Sequence, residues 1–301
     1  MNLGRIDLVT LSLFVAVARH GSISAGARQQ HLAVGAASKR ISDLEAALGT
    51  ALLFRNAAGV ELTDAGQACL AHALRVLREV EQLTGTLSDY AHGARGQVRI
   101  AANTSSITQF LPEDLAAFMA AHPAVRIDLE EQNSSDVVAA VAESRADIGI
   151  FADRTPAAGL VTSAYRIDEL VLVTARNHAL AKRRQISFAE TLDFDYVGLP
   201  TATSLASRLQ EESARMQRGM RLRIQVRSFD AICRMVAATG SIGILPRVAA
   251  QPHAQSMKLA LIPLRDTWSR RSLLLGVREP ATLTLAARLL LAHLQAQPAA
   301  D

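Results

Sequence analysis

The sequence predicts an α/β protein in two parts. A small all-helical N-terminal domain with a wing is followed, through one long helix, by a larger domain of alternating strands and helices. Three observations predict it. Between residues 6 and 66, apolar residues recur at helical spacing in short blocks, broken by Gly21 and by a turn at 32–35. From residue 64 to about 91 runs one proline-free stretch whose apolar positions alternate by three and four. Beyond residue 97, short strand-like and helix-like blocks alternate, the order of a parallel sheet covered by helices.

The N-terminal elements follow in order. Leu11, Phe14, Val15 and Ala18 fall at i, i+3, i+4 and i+7 and form one apolar helical face. Gly21 ends that helix, and Ser22 or Ser24 can cap a second one running from Ser24 to about His31. A tight turn at Leu32-Ala-Val-Gly35 leads into a third helix with Ala37, Ile41, Leu44 and Leu48 on one face. Two short helices joined by such a turn describe a helix-turn-helix. The segments Leu52-Leu-Phe-Arg55 and Leu62-Thr-Asp-Ala-Gly66 close the domain as a wing. Thr63 is a plausible cap for the long helix, with Asp64 at its positive end. Leu70, Ala73, Leu77, Val80, Thr84, Leu87 and Ala91 form a coiled-coil seam with one polar interruption, and His92-Gly-Ala-Arg-Gly96 reads as a joint.

In the C-terminal part the pattern predicts strands at 98–102, 125–130 and 147–151, separated by helices at 110–121 and 136–144. This βαβαβ order places ligands at strand C-terminal ends. Later strands are expected at 169–175, 196–199, 222–226, 242–245, 259–263 and 272–277, with helices at 204–217, 229–239 and 281–295.

Composition narrows the function. The chain has 301 residues, half of them hydrophobic, enough for about two domains with real cores. No run of about 18 apolar residues lacks a charge or a breaker, so no membrane span is expected. The N-terminus enters an amphipathic helix without a signal-peptide apolar region, so the cytoplasm is the expected location. Cys69 and Cys233 lie far apart, in metal-ligand spacing with nothing, and read as small buried hydrophobes. The eight histidines are scattered, and His-x-x-x-His, Cys-x-x-Cys, Gly-x-Ser-x-Gly and glycine-rich phosphate loops are absent. No enzyme, metal site or cofactor is therefore expected. The formal charge is +4, and residues 1–62 carry six basic against four acidic groups. That balance permits DNA binding without announcing it.

The N-terminal pattern resembles the winged helix-turn-helix of the LysR-type transcriptional regulators. The resemblance rests on Phe14, Gly21-Ser22, Ala27, Ser38, Ile41, Leu44-Glu45, Leu48-Gly49, Leu52, Arg55 and Leu62-Thr63-x-Ala65-Gly66, and the length of the remainder extends it over nearly the whole chain. It implies a DNA-binding domain at 1–63, a linker and dimerisation helix at 64–92, and an effector domain at 97–301. The effector domain would be a two-lobed, periplasmic-binding-protein-like (type 2) α/β fold. Lobe one would comprise about 97–163 and 266–301, and lobe two about 164–265, with crossings near 161–166 and 263–267. The implied partners are double-stranded promoter DNA, a small-molecule effector, and a second copy of the chain in a homodimer or homotetramer, with no membrane.

The third helix would enter the major groove by its N-terminal residues. Here the sequence departs from the family: Ala33-Val34-Gly35 replaces the usual Ser-Gln-Pro, so readout passes to Ser38, Lys39 and Arg40 or to DNA shape. The wing tip, Asn56-Ala-Ala-Gly59, lacks the usual cation, and Arg55 remains for a backbone contact. The DNA-binding candidates are thus Val34, Gly35, Ser38, Lys39, Arg40 and Arg55. Fewer cations release fewer counterions, so DNA affinity weaker than usual in the family and a shallow salt dependence are expected. For the effector, hydroxyls at helix starts after strands suggest Thr104, Ser105, Ser106, Ser134, Thr203 and Ser204. With no obvious arginine among them, the expected effector is a small carboxylate or a polar metabolite. Two rival readings stand beside this one: a C-terminal domain that serves only oligomerisation, and a solute-binding protein using the same cleft.

Overall fold

The computed structural model describes residues 6–56, 59–92 and 96–296, and the chain divides into two units at residues 91 and 92. In the first unit, helices α1 (Leu8–His20), α2 (Ile23–Gln29) and α3 (Val34–Leu48) precede a hairpin, β1 (Leu53–Asn56) and β2 (Gly59–Leu62), and helix α4 (Asp64–His92). Asp7 caps α1 by accepting the Thr10 N–H at 2.7 Å. Gly21 ends α1 at φ +60°, a backbone that glycine adopts without strain. Ser22, not Ser24, caps α2, accepting the Ala25 N–H, so α2 begins one residue earlier than expected. The helices meet in one apolar cluster centred on Leu13, Phe14, Ile41, Leu44 and Leu52.

Helix α4 completes that cluster. Ala73 is buried in it, and Leu70, Leu74 and Leu77 pack against it. The first half of the expected seam therefore lies on the chain's own helix-turn-helix domain. On another face of α4, Val76 and Leu83, seven residues apart, remain 45% and 58% exposed. Gly93 to Arg95 of the joint and Ala57 and Ala58 of the wing lie outside the described residues, as do the side chains of Leu87 and Ala91 of the seam.

The second unit opens with β3 (Gly96–Ala102), α5 (Thr104–Gln109), α6 (Leu111–Ala121), β4 (Val125–Glu131), α7 (Ser134–Ala142) and β5 (Ile148–Ala152). β3 lies between β4 and β5 and is parallel to both, as the βαβαβ pattern predicts. The helix expected at 110–121 is α6, with Pro112 in its first turn, while α5 before it has no counterpart in the sequence reading and is set off from α6 by the non-helical Phe110. Then come β6 (Val161–Ala175), α8 (Phe188–Thr191), β7 (Asp195–Gly198), α9 (Ser204–Arg215), β8 (Arg221–Gln225), α10 (Phe229–Thr239), β9 (Gly243–Pro246), α11 (Arg247–Ser256), β10 (Leu259–Pro263), β11 (Arg270–Val277) and α12 (Leu285–Ala296). α8 and α11 have no counterpart in the sequence reading, and Pro252 inside α11 is the reason that segment does not read as a helix.

β6 is longer than expected and belongs to two sheet regions. Its first half pairs with β11, which continues to β5, while its second half pairs with β10 and β9. The chain thus passes between two lobes on β6 and returns on β11. One lobe is built around Ile100, Leu111, Phe118, Ile148 and Leu290. The other is built around Val171, Phe188, Tyr196, Ile232 and Leu245. Near the passage, Arg166 donates twice to the Asp114 carboxylate, at 2.8 and 2.9 Å, and the Tyr165 hydroxyl donates to the same group at 2.5 Å. All three residues are buried.

Candidate DNA-contacting face and ligand cleft

Helix α3 starts at Val34 without a side-chain cap, because Ala33 has no oxygen to offer. Val34 is 47% exposed, Gly35 and Lys39 are exposed, and Ser38 is half-buried. These four form an open first turn and a half, and Lys39 makes no ion pair among the described residues. The two arginines behave differently. Arg40 Nη1 donates to Asp7 Oδ2 and to Thr10 Oγ1, both at 2.9 Å, which ties α3 to the start of α1. Arg55 Nη2 donates to Ser42 Oγ at 3.1 Å and to Glu45 Oε2 at 3.0 Å. The other oxygen of Glu45 accepts the Leu52 and Leu53 N–H groups, so one carboxylate holds the wing against α3. Sequence reasoning singled out the arginines and missed the acids that engage them. Asp7 and Glu45, each at an element boundary, were the available signal.

The hairpin seats on two glycine contacts. Val60 N–H donates to the Gly21 carbonyl at 2.9 Å, and a Cβ on Gly59 would lie 2.4 Å from that same oxygen. A Cβ on Gly66 would lie 2.0 Å from the Leu52 carbonyl oxygen, while Thr63 caps α4 by accepting the Gly66 N–H at 2.9 Å. Phe54 on β1 is 61% exposed.

In the second unit a cavity of about 230 Å³ opens between the lobes. One side is Ser134 and Ser135 at the start of α7 with the residues after β5; the other is Ser204, Ser207, Arg208 and Glu211 on one face of α9. Trp268 and the first residues of β11 complete it. The six hydroxyls picked from sequence gather here to different degrees. Ser134 and Ser204 line the cavity. Thr104, Ser105 and Thr203 line an adjoining recess of only about 10 Å³ that Ser134 and Ser204 share. That volume is at the limit for a single water. Ser106 is fully buried, and both its N–H and its hydroxyl donate to Asn103 Oδ1, at 2.9 and 2.7 Å. It is part of the cap of α5. Thr203 caps α9, accepting the Ala206 N–H. Thr104 donates to Glu131 Oε1 at 2.6 Å, and Ser134 Oγ accepts from Asn103 Nδ2 at 3.2 Å.

The cavity also holds arginines, which were not among the residues picked from sequence. Arg154, Arg208, Arg270 and Arg271 line the cavity, against Asp153 and Glu211. Arg271 pairs with Asp168 across the β6–β11 ladder, and both side chains are almost wholly buried. Arg154 meets Glu211 at 3.3 Å. The guanidinium carbon of Arg208 lies 5.5 Å from the Trp268 ring centroid. These residues come from β5–β6, α9 and β11, so no local motif joins them. On the α9 face only Ser204 was picked out from the sequence; Arg208 and Glu211 recur with it at helical spacing.

Cys233 is buried in lobe two, where desolvation pushes its thiol up to about 11; burial also raises Cys69. Neither is a thiolate at neutral pH, and among the described residues no group of three His, Cys, Asp or Glu is placed to hold a metal.

An open helix-turn-helix followed by a two-lobed domain with a polar cleft defines a DNA-binding regulator with a ligand-binding module. The model for the bacterial regulatory helix-turn-helix protein, lysR family, matches residues 8–67, and the model for the LysR substrate binding domain matches residues 91–299. The chain belongs to the LysR family of transcriptional regulators. The HTH-type transcriptional regulator YbhD of Escherichia coli (strain K12) is 24% identical over 281 residues, 93% of this chain and 88% of that protein. The structure of full-length CbnR complexed with its target DNA superposes with a TM-score of 0.71 at 21% identity, over 96% of this chain and 99% of that one. The regulatory domain of Synechocystis PCC6803 CcmR in complex with 2-PG gives 0.62 at 19% identity, over 67% and 97%. No described helix is long and apolar enough to cross a membrane.

Proposed function

We propose that this regulator senses a small polar or carboxylate effector in the cleft between its lobes, and that the occupied cleft changes how paired DNA-binding domains engage a promoter. The observation that carries the reading is the 230 Å³ cavity, with Ser134 on one lobe and Ser204 on the other. A ligand touching both lobes binds one lobe arrangement better than another, which is the differential affinity a switch requires. Thr104, Ser105 and Thr203 form its narrow end, with Ser106 holding α5 behind them. At the DNA, Val34, Gly35, Ser38 and Lys39 face the duplex, while Arg40 and Arg55 hold α3 and the wing in place for it. Two chains pair through the 64–92 helix, and pairs associate into a tetramer. The exposed Val76 and Leu83 on α4 support a helix partner. The protein works in the cytoplasm.

Footprinting on the DNA flanking the gene, with wild type and a Ser38→Ala/Lys39→Ala double variant, tests the DNA reading. Two protected half-sites on one face of the duplex, lost in the variant, are expected. Protection that survives the variant, or a single unpaired site, overturns it. CcmR, which shares the fold of the effector domain, binds 2-PG, and supports looking for the ligand among small acids.

A further inference from the structure

We propose that the effector's charged group is a carboxylate bound by Arg208 and Arg271 beside Trp268, and not by the hydroxyl cluster at the narrow end of the cleft. This rests on the reading of the cleft as the effector site and names its charged pole.

The narrow end is unsuited to an anion. The Thr104 hydroxyl already donates to the exposed Glu131 Oε1 at 2.6 Å, so a formal negative charge stands beside the recess and one of its hydroxyl donors is engaged. Asn103 turns its carbonyl oxygen inward to cap α5. The recess holds about 10 Å³, too little for a carboxylate.

The wide end has the opposite character. Arg271 is only 6% exposed, and its Nη2 reaches Asp168 and, at 3.4 Å, Ser105 Oγ. Its Nε is buried and has no hydrogen-bond partner. Arg208, 12% exposed, pairs through Nη2 with Glu212 at 3.1 Å, and its buried Nη1 also has no partner. Glu212 is shared with Arg215 at 2.9 Å, so one carboxylate faces two guanidinium groups and a positive charge is left over. Desolvation, ahead of the opposing pull of Glu212, lowers the pKa of Arg208, the signature of a cation held away from water. Buried charged donors without acceptors are unfavourable, and an oxyanion in the cavity that both arginines line offsets their charge and, once the guanidinium groups turn toward it, supplies acceptors through charge-assisted hydrogen bonds. Both arginines line the same cavity as Ser134 and Ser204, which leaves the hydroxyls for the neutral polar part of the ligand.

Trp268 is the chain's single tryptophan, so its fluorescence reports on this pole alone. The full-length protein is titrated with benzoate and succinate, with their neutral amides benzamide and succinamide, and with inorganic phosphate. Fluorescence and thermal melting are followed together in wild type, Arg208→Met, Arg208→Lys and Ser204→Ala. The expected result is a saturable fluorescence change and a raised Tm with a carboxylate, and neither with its amide. Arg208→Met should weaken that binding at least tenfold while leaving the unliganded Tm unchanged or higher, because it removes an unmatched donor and keeps the stem over Trp268. Arg208→Lys should retain part of the affinity, and Ser204→Ala should lose only a few-fold. Equal binding of acid and amide, unaffected by Arg208→Met, overturns the proposal and leaves the effector cleft standing. A response to phosphate alone overturns the carboxylate assignment. No saturable response to any probe overturns the proposal and removes support from the cleft as effector site. A lowered Tm for both Arg208 variants with carboxylate binding intact assigns Arg208 to structure and also overturns it.

Discussion

Arg40 of α3 reaches back to Asp7 before α1, placing Nη1 2.9 Å from Asp7 Oδ2, while the other oxygen of Asp7 caps α1 through Thr10. A residue that sequence reasoning assigns to DNA is thus tied to the domain itself, and Lys39 beside it is not. Arg40→Ala is expected to lower stability by about 0.2–1 kcal/mol, the range of exposed pairs. Lys39→Ala should leave the melt unchanged, and reduce the slope of log affinity against log salt by about 0.9 if it neutralises one phosphate. Urea melts and filter binding at several salt concentrations separate the two. A larger loss of salt slope for Arg40→Ala than for Lys39→Ala would reverse this assignment.

Gly66 is required by space. Its added Cβ would sit 2.0 Å from the Leu52 carbonyl oxygen, a backbone atom that cannot move aside without shifting the start of β1. Gly66→Ala should destabilise the helix-turn-helix domain by at least about 1–3 kcal/mol. Gly35→Ala, where nothing lies within 4 Å, is the matched control. Equal melts for the two variants would refute this.

The buried Asp114–Arg166 pair sits where β6 leaves lobe one. Removing the cation leaves an uncompensated carboxylate, so Arg166→Met should destabilise the effector domain by about 3–5 kcal/mol. Asp114→Asn/Arg166→Met together should recover part of that loss. Chemical denaturation of Arg166→Met, Asp114→Asn and the double variant is the check, and a double variant as weak as the sum of the two singles would count against a coupled pair.

Acid sensitivity has a named source. Hydrogen bonds from the Ser187 backbone, then its hydroxyl, then Arg265, lower Glu190 from the usual 4.5 to about 2. A depressed folded pKa means the contribution is present above pH 4.5 and is lost as pH falls toward 2. Asp7 is lowered for the same kind of reason, with the Thr10 N–H first among its causes. The unfolding midpoint of wild type should therefore fall through this window, and Glu190→Gln should flatten part of the decline. An identical pH profile for the variant would exclude Glu190 as a contributor.

The N-terminal domain was the most legible part, because its helices pack on each other through local spacing: the faces read from Phe14, Ile41 and Leu44 are the faces buried. The parallel β3, β4 and β5 were legible for the same reason. The cleft was legible only by half. Ser134 and Ser204 stand at helix starts, a position that composition alone marks. Arg208, Arg271 and Trp268 meet through the return of β11 to β6, a pairing more than 100 residues apart in sequence that periodicity does not encode. Ser106 misled because a capping hydroxyl and a ligand-binding hydroxyl look alike until the partner is seen. The intramolecular partners of Arg40 and Arg55 were not legible, because the acids that engage them, Asp7 and Glu45, lie on other elements.

β6 runs as one strand from one lobe into the other, with a single register shift against β11 between Leu273 and Leu274, and is hydrogen-bonded on both sides of the passage. Sliding one lobe along such a strand would break its register, and a slip of one residue would turn Leu170 to Val173 to the wrong faces of the sheet. Bending or twisting the strand keeps every rung of the ladder. The passage therefore acts as a torsion bar, and what a ligand in the cleft can change is an angle between the lobes and not their offset along the strand.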